Sequence, residues 1–261
     1  MRIRVVTIFP ELFGPFLETS LVGRAIESGR MEVQVHDLRD LTEDRHRSVD
    51  DEPYGGGGGM VMTAPPWLRA VRELGDADDG EGNRNRYRRI LLSPQGATLD
   101  DAGVRRLAGF ERLLLMCGRY EGIDERVRER AVDEEISIGD YVLSGGELPA
   151  MVLIEALSRQ IPGVVGLPES VEQDSFRRGL LDYPHYTRPP EVEGMEVPPV
   201  LLSGHHAEIE RWRRRKALEA TARKRPDLLE RLPEGELSEE EWRLVAELAA
   251  ESKTSGRRGG R

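Results

Sequence analysis

The strongest constraint on the fold is an alternation of strand-like and helix-like segments through the first two-thirds of the chain. Short runs rich in β-branched or aliphatic residues predict strands at 4–8, 31–35, 90–92, 113–116 and 135–138. Helical spacing or long apolar runs predict helices at 10–27, 99–107, 124–131 and 148–161. Because strands joined through helices pair in parallel, we predict an α/β fold with a mostly parallel sheet.

The pattern of residue types changes at Gly166. Six prolines between 168 and 199 interrupt every periodic pattern and predict an extended linker. The pattern beyond it is helical and includes a capping box at Ser238–Glu241. The last residues are rich in Gly, Ser and Arg, as in disordered tails. We therefore predict four parts: an α/β domain over 1–165, a linker over 166–200, a small all-helical C-terminal domain over 201–252 and a disordered tail over 253–261.

Simple features of the sequence argue against several classes of protein. No apolar run approaches the roughly 18 residues that a membrane span needs. The first residues lack the apolar core and cleavage site of a signal peptide. Cys117 is the single cysteine, which excludes an intramolecular disulfide and a multi-cysteine zinc site. We expect a cytoplasmic protein that does not act at a membrane.

The distribution of charge matters more than the net charge of −10. That total argues against nucleic acid, because phosphate binding needs local positive charge. However, five acidic residues between 73 and 81 account for part of it, in a predicted surface loop over 72–88. Residues 208–225 instead carry eight Arg or Lys against three Glu. This stretch, which we call the basic face, is either a solvated helix surface or a phosphate-binding one.

Three glycine-containing turns follow three of the predicted strands. They lie at Ser93–Gly96, Cys117–Gly122 and Ile138–Glu147. In open α/β sheets ligands bind beyond the carboxyl ends of the strands, where glycine lets the backbone approach a ligand closely. Three such turns along one sheet favour a nucleotide-like ligand. The dinucleotide fingerprint is missing after the first strand, and no Lys-Ser/Thr follows the glycine run 55–59, so this run is no phosphate-binding P-loop.

These turns carry a resemblance to a known family. Together with 174–176, 184–189 and 197–204, in order along the chain, they resemble the bacterial tRNA (guanine-N1) methyltransferases. The resemblance runs from Ile8 to about Leu229. It implies the SPOUT class of methyltransferases, with a deep trefoil knot in the α/β domain. It further implies a homodimer with shared active sites, S-adenosylmethionine as methyl donor and guanine 37 of tRNA, beside the anticodon, as target.

The resemblance also assigns roles to residues. Methylation of guanine N1 displaces a proton, for which Asp174 would be the general base, while Arg159 would stabilise negative charge on O6. The residues expected to hold the methyl donor are Ser93, Pro94, Gly118, Tyr120, Glu121, Ile138, Gly139, Tyr141, Leu143, Gly145, Gly146 and Pro149. Apart from the resemblance, Asp182 and His185 lie in the same linker as Asp174 and are candidates to contact the substrate or the residues around it. The charge of the basic face leads to the hypothesis that it holds tRNA phosphates, with Arg211, Arg214 and Arg215 as the expected contacts.

Several points stay open in the sequence. Glu121 would either balance the charge of the methyl donor or help to hold the incoming base. The glycine run 55–59 is either a flexible loop or a backbone surface against which a ligand lies. The resemblance implies help from Mg²⁺, but no acidic cluster identifies a site, so we assign no metal ligand. Packing is favoured for Cys117 over a nucleophilic role, because no base lies near it in the sequence.

Two other functions are compatible with the same pocket. One is a methyltransferase that acts on a ribose hydroxyl or on another base, which would not need Asp174 as a base. The other is an RNA-binding protein without catalytic activity that senses S-adenosylmethionine. The presence of both Arg159 and Asp174 favours catalysis.

Overall fold

A computed structural model describes residues 1–75, 86–166 and 174–256, apart from the side chains at 249 and 251–256. Most of the predicted acidic loop and the end of the tail therefore lie outside the described residues. The chain divides into two compact units, Met1–Leu167 and Pro168–Arg261. No described helix is both long and apolar enough to cross a membrane.

The first unit is built on a five-stranded parallel sheet, with strand order β2-β1-β6-β5-β7. The strands are β1 (Arg2–Thr7), β2 (Glu32–Asp37), β5 (Tyr87–Thr98), β6 (Arg112–Cys117) and β7 (Glu134–Ser137). A short antiparallel pair, β3 (Asp50–Asp51) and β4 (Val61–Met62), lies outside this sheet. The predicted parallel sheet is confirmed, with a strand at each predicted position.

Helices cover both faces of the sheet. Alternate residues of the strands point into two separate apolar clusters, as Leu113 and Leu115 do on one side and Leu114 and Met116 on the other. This two-sided burial explains the uninterrupted apolar run at 113–116. The helices are α1 (Gly14–Leu17), α2 (Ser20–Glu27), α3 (Ala64–Leu74), α4 (Asp101–Ala108), α5 (Glu125–Ala131) and α6 (Glu147–Ser158).

Two predictions for the first unit were wrong. A single helix over 10–27 does not form, because Thr19 is extended and Ser20 has a φ of 57°, which separates α1 from α2. The loop predicted over 72–88 extends too far at both ends, because α3 runs to Leu74 and β5 begins at Tyr87. Helix α3 was not predicted, because Ala64 is followed by Pro65 and Pro66. Proline is tolerated in the first turn of a helix but in a sequence usually indicates a break.

The second unit is largely helical and has a core of its own. Leu180, Ala217, Leu218, Leu229, Leu237 and Val245 are buried together. The elements are β8 (Glu191–Val192), β9 (Met195–Glu196), α7 (Pro199–Leu202), α8 (His206–Lys224), α9 (Pro226–Glu230) and α10 (Glu239–Gly256). The capping box is confirmed, because the Ser238 N–H donates to Glu241 Oε2 at 2.8 Å and the Glu241 N–H donates to Ser238 Oγ at 3.2 Å.

Two expectations for this unit need correction. The described part of the predicted linker is not simply extended, since Leu180 is buried in the core and the Leu181 N–H donates to Thr221 Oγ1 at 2.9 Å. The prolines there interrupt periodic patterns but do not prevent packing. Helix α10 continues to Gly256, beyond the expected end of the helical domain at 252. Residues 257–261 lie outside the described part of the chain.

Candidate active site

A cavity of about 260 Å³ opens at the carboxyl ends of three neighbouring strands, β5, β6 and β7. All twelve residues that were expected to hold the methyl donor line it. They come from three segments that are separate in sequence, 93–94, 118–121 and 138–149. The sheet order brings these segments together, because β6 and β7 flank β5 and parallel strands end at the same edge.

The first of the three predicted turns differs from expectation. Residues 93–96 belong to β5, which continues to Thr98 with a register shift against β7 between Leu92 and Ala97. Gly96 makes this path possible. A Cβ at Gly96 would lie 2.3 Å from the Ile136 backbone N and 2.4 Å from the Glu135 carbonyl carbon. The wall of the cavity is therefore formed by two backbones in direct contact.

The turns after β6 and β7 also contact each other through their backbones. The Gly146 N–H donates to the Gly118 carbonyl at 3.0 Å. A Cβ at Gly146 would lie 2.8 Å from Cys117 Cα, so only glycine fits without a shift. Tyr120, two residues after Gly118, has a φ of 61°. A non-glycine residue in this region costs roughly 1–3 kcal/mol, and such strain is found most often at functional sites. The Tyr120 side chain lines the cavity and is half exposed.

A buried polar cluster supports the cavity from behind. The Glu147 carboxylate is only 1% exposed; it accepts from Thr7 Oγ1 at 2.7 Å and from Arg119 Nε at 3.2 Å. The Arg119 guanidinium also stacks on the Phe9 ring at 4.3 Å. Sequence reasoning gave none of these residues a role, although Arg119 and Glu147 lie inside recognised motifs. The cluster fixes the turns after β6 and β7 relative to β1.

Cys117 lies next to this cluster and is fully buried, as the packing interpretation expected. Burial raises the pKa of its thiol well above the ordinary value, and the nearby Glu147 carboxylate adds to the effect. Only a thiolate is an effective nucleophile. The environment of Cys117 therefore disfavours a nucleophilic role.

The glycine run 55–59 approaches the cavity at Glu121. The Glu121 N–H donates to the Met60 carbonyl at 3.0 Å. Gly59 has a φ of 85°, and a Cβ there would lie 2.4 Å from Glu121 Oε1. The end of the run thus presents its backbone to the Glu121 side chain at the cavity wall.

The two predicted catalytic residues belong to different units, Arg159 to the first and Asp174 to the second. Arg159 caps the C-terminal end of α6, whereas Pro149, near the start of the same helix, lines the cavity. At 1.5 Å per residue, their separation of ten positions corresponds to roughly 15 Å along the helix. Asp174 belongs to the second unit, where its carbonyl accepts from the Arg177 N–H at 3.3 Å. Arg159 is not among the residues that line the cavity.

The structure groups Asp182 and His185 close to Asp174 within the second unit. Asp182 Oδ2 and His185 Nε2 lie 2.9 Å apart. The Asp182 N–H also donates at 3.0 Å to Oγ of Ser175, the residue that follows Asp174. Tyr183 packs on the His185 ring at 4.8 Å. Burial raises the Tyr183 pKa, although the Arg213 guanidinium over the ring, 5.0 Å from its centroid, opposes this.

Acidic residues neutralise part of the basic face on α8. Arg214 Nε contacts Glu241 of α10 at 2.7 Å, and Arg215 Nε contacts Glu219 at 3.0 Å. Arg211 Nε donates to the Ala207 carbonyl at 3.3 Å, and no described acidic side chain pairs with it. Of the three predicted contacts, Arg211 and Arg215 are exposed, while Arg214 joins two helices.

The described residues contain no group of three or more acidic, His or Cys side chains that could hold a metal ion. The geometry thus gives a glycine-lined cavity with close backbone walls, one strained tyrosine and a buried carboxylate behind it. Such a cavity suits a ligand that is held through backbone groups.

Known proteins similar to this chain point to one family. The profile of the family described as tRNA (Guanine-1)-methyltransferase TrmD matches residues 1–231. Two curated relatives are named tRNA (guanine-N(1)-)-methyltransferase, one from Escherichia coli (strain K12 / DH10B) and one from Shigella boydii serotype 18 (strain CDC 3083-94 / BS512). Each is 55% identical over 251 residues, which cover 96% of this chain and 95% of the relative.

Proposed function

The chain belongs to the tRNA (guanine-1)-methyltransferase family, and we propose that it transfers a methyl group from S-adenosylmethionine to N1 of guanine 37 in tRNA. The observation that carries this proposal is the cavity at β5, β6 and β7, which all twelve expected donor-binding residues line. When bound there, S-adenosylmethionine supplies an electrophilic methyl group. The glycine contacts at Gly96 and Gly146 fit this ligand, because they hold the walls close enough for backbone groups to contact it.

Asp174 acts in this proposal as the general base that removes the N1 proton. A positioned base contributes about 10²–10⁴ in rate. Arg159 supplies a positive charge near guanine O6, which gains electron density as the proton leaves. Since no covalent enzyme intermediate is needed, alignment of donor and base supplies much of the remaining acceleration.

The active site is completed by a second copy of the chain in this proposal. Arg159, at the end of α6, is not among the residues that line the cavity. Family membership implies that the linker and C-terminal domain of a partner copy complete the site. Helix α6 also exposes Leu148 and Val152, which are 57% and 47% accessible and lie one turn apart. A homodimer that covers this apolar stripe would account for both observations.

Further parts of the proposal rest on family membership. They are the deep trefoil knot of the SPOUT class, the binding of tRNA by the C-terminal helices, help from Mg²⁺ and a cytoplasmic location. The domain limits at 165 and 200 belong to the same proposal.

The test is transfer of labelled methyl from S-adenosylmethionine to an unmodified tRNA transcript with guanine at position 37. A transcript with adenine 37 and the variant Asp174→Ala serve as comparisons. We expect label in the guanine transcript only, and a fall of about 10²-fold or more with Asp174→Ala. Binding of S-adenosylmethionine without any transfer would favour a sensor, and label in both transcripts would contradict the proposed target.

A further inference from the structure

Arg128 of α5 lines the cavity but lies outside every recognised motif. Its side chain is only 16% exposed, which is unusual for an arginine on a short surface helix. The neighbouring Arg126 on the same helix is 70% exposed and pairs with Asp124. Burial of a guanidinium at a ligand cavity requires partners for its charge and its donors.

The partners of Arg128 join the ends of two strands. Its Nη1 donates to Gln95 Oε1 at 2.8 Å, and its Nη2 donates to Ser93 Oγ at 3.1 Å. The same Nη2 pairs with the Glu135 carboxylate on β7. Arg128 therefore joins β5 and β7 beside the register shift at which the cavity wall forms.

The hydrogen bonds of Ser93 give this contact a chemical consequence. Ser93 Oγ accepts from Arg128 and also from the Gln95 N–H at 3.1 Å. A serine hydroxyl has two acceptor lone pairs and one hydrogen. With both lone pairs used, the hydroxyl hydrogen of Ser93 is left for an acceptor elsewhere, and Ser93 lines the cavity.

We propose that Arg128 is a positioning residue that turns Ser93 into a fixed hydrogen-bond donor toward a ligand in the cavity. The inference rests on the proposed function, since it names that ligand as S-adenosylmethionine. The planar fork of arginine reaches Ser93, Gln95 and Glu135 together. A lysine carries the same charge on a single nitrogen and does not reproduce this geometry.

The test is the affinity for S-adenosylmethionine, measured by calorimetry without tRNA on the full chain. The variants are Arg128→Ala, Arg128→Lys, Ser93→Ala and the double variant, with Arg126→Ala as the matched control on the same helix. We expect both Arg128 variants to raise Kd about tenfold, or about 1.4 kcal/mol. Arg126→Ala should change Kd less than about twofold, because the Arg126 side chain is 70% exposed and does not line the cavity.

The double variant Ser93→Ala with Arg128→Ala distinguishes a residue that positions Ser93 from one that only stabilises the fold. If Arg128 acts through Ser93, the double variant should bind about as weakly as Ser93→Ala alone, because coupled residues are not additive. We expect the KM for tRNA to stay unchanged in all Arg128 variants. Multiplicative losses in the double variant, or wild-type affinity in Arg128→Lys, would overturn the inference. Failure of the wild-type chain to bind or transfer methyl would instead refute the proposed function.

Discussion

Gly96 shows how a single residue shapes the proposed active site. Its neighbours within 3 Å of a hypothetical Cβ are backbone atoms of 135–136, which cannot swing away as a flexible side chain would. The exposed Gly14 differs in this respect, because nothing lies within 4 Å of the corresponding position. Replacement by alanine therefore adds the same methyl group to a crowded position at Gly96 and to an open position at Gly14.

We predict that Gly96→Ala lowers the free energy of unfolding of the protein by about 1–3 kcal/mol, because overpacking forces the two backbones apart. Gly14→Ala should change it much less. Urea denaturation followed by circular dichroism measures both. Equal stability of the two variants would show that the backbone at 135–136 shifts at little cost in free energy, and it would contradict this prediction.

At the scale of the elements, a second set of contacts joins β5 to the β7 side at the edge of the sheet. The Arg89 N–H and Nη2 donate to the Asp133 carboxylate at 2.7 and 2.8 Å. Burial acts to raise the pKa of Asp133, but the hydrogen bonds from the Arg89 side chain and backbone outweigh it and lower the pKa. The ionised carboxylate is therefore the form that stabilises this edge.

We predict that Asp133→Asn lowers the free energy of unfolding by about 1–2 kcal/mol at pH 7. Because the folded pKa lies below the unfolded one, the contribution of the carboxylate is present above pH ~4 and is lost as the pH falls through the folded pKa. The difference between wild type and variant should therefore shrink under acid. Glu11→Gln, at an exposed carboxylate without an ion pair in the described chain, is the control. A difference independent of pH would contradict this account.

Elements with strong apolar patterns could be predicted from the sequence, whereas the contacts between elements could not. The sheet followed from runs such as 113–116, because burial on both faces leaves a continuous apolar signal. The break at Ser20 and the start of α3 were missed, since a positive φ in serine and a first-turn proline pair have no apolar signature. Recognised motifs indicated the residues of the cavity. The role inferred for Arg128 depends on distances across β5 and β7, which no local pattern contains.

Helix α8 allows the two interpretations of the basic face to be separated. We predict that Arg211→Ala with Arg215→Ala weakens tRNA binding and reduces the slope of log K against log salt by about 2, because each lost phosphate contact removes about one unit. Arg214→Ala should affect stability more than the salt slope, since Arg214 pairs with Glu241 on α10. Filter binding at several salt concentrations measures the slopes. An unchanged slope in the double variant would identify the basic face as a solvated surface.

At the scale of the whole molecule, the account requires two copies of the chain. We predict that Val152→Glu on α6 converts a dimer into a monomer and abolishes methyl transfer, because a buried charge in an apolar interface is costly. Arg72→Glu, on α3 at the opposite face of the sheet, should leave the dimer intact. Sedimentation equilibrium measures both. A monomeric wild-type chain with full activity would contradict the shared site.

The identity of the methylated nucleoside decides whether the chain methylates N1 of guanine. After reaction with S-adenosylmethionine, the guanine-37 tRNA is digested to nucleosides and analysed by mass spectrometry against authentic standards. The account predicts 1-methylguanosine as the single new product, absent when the chain carries Asp174→Ala. A product methylated on the ribose hydroxyl, such as 2′-O-methylguanosine, would contradict the account, since that reaction does not remove the N1 proton for which Asp174 is proposed.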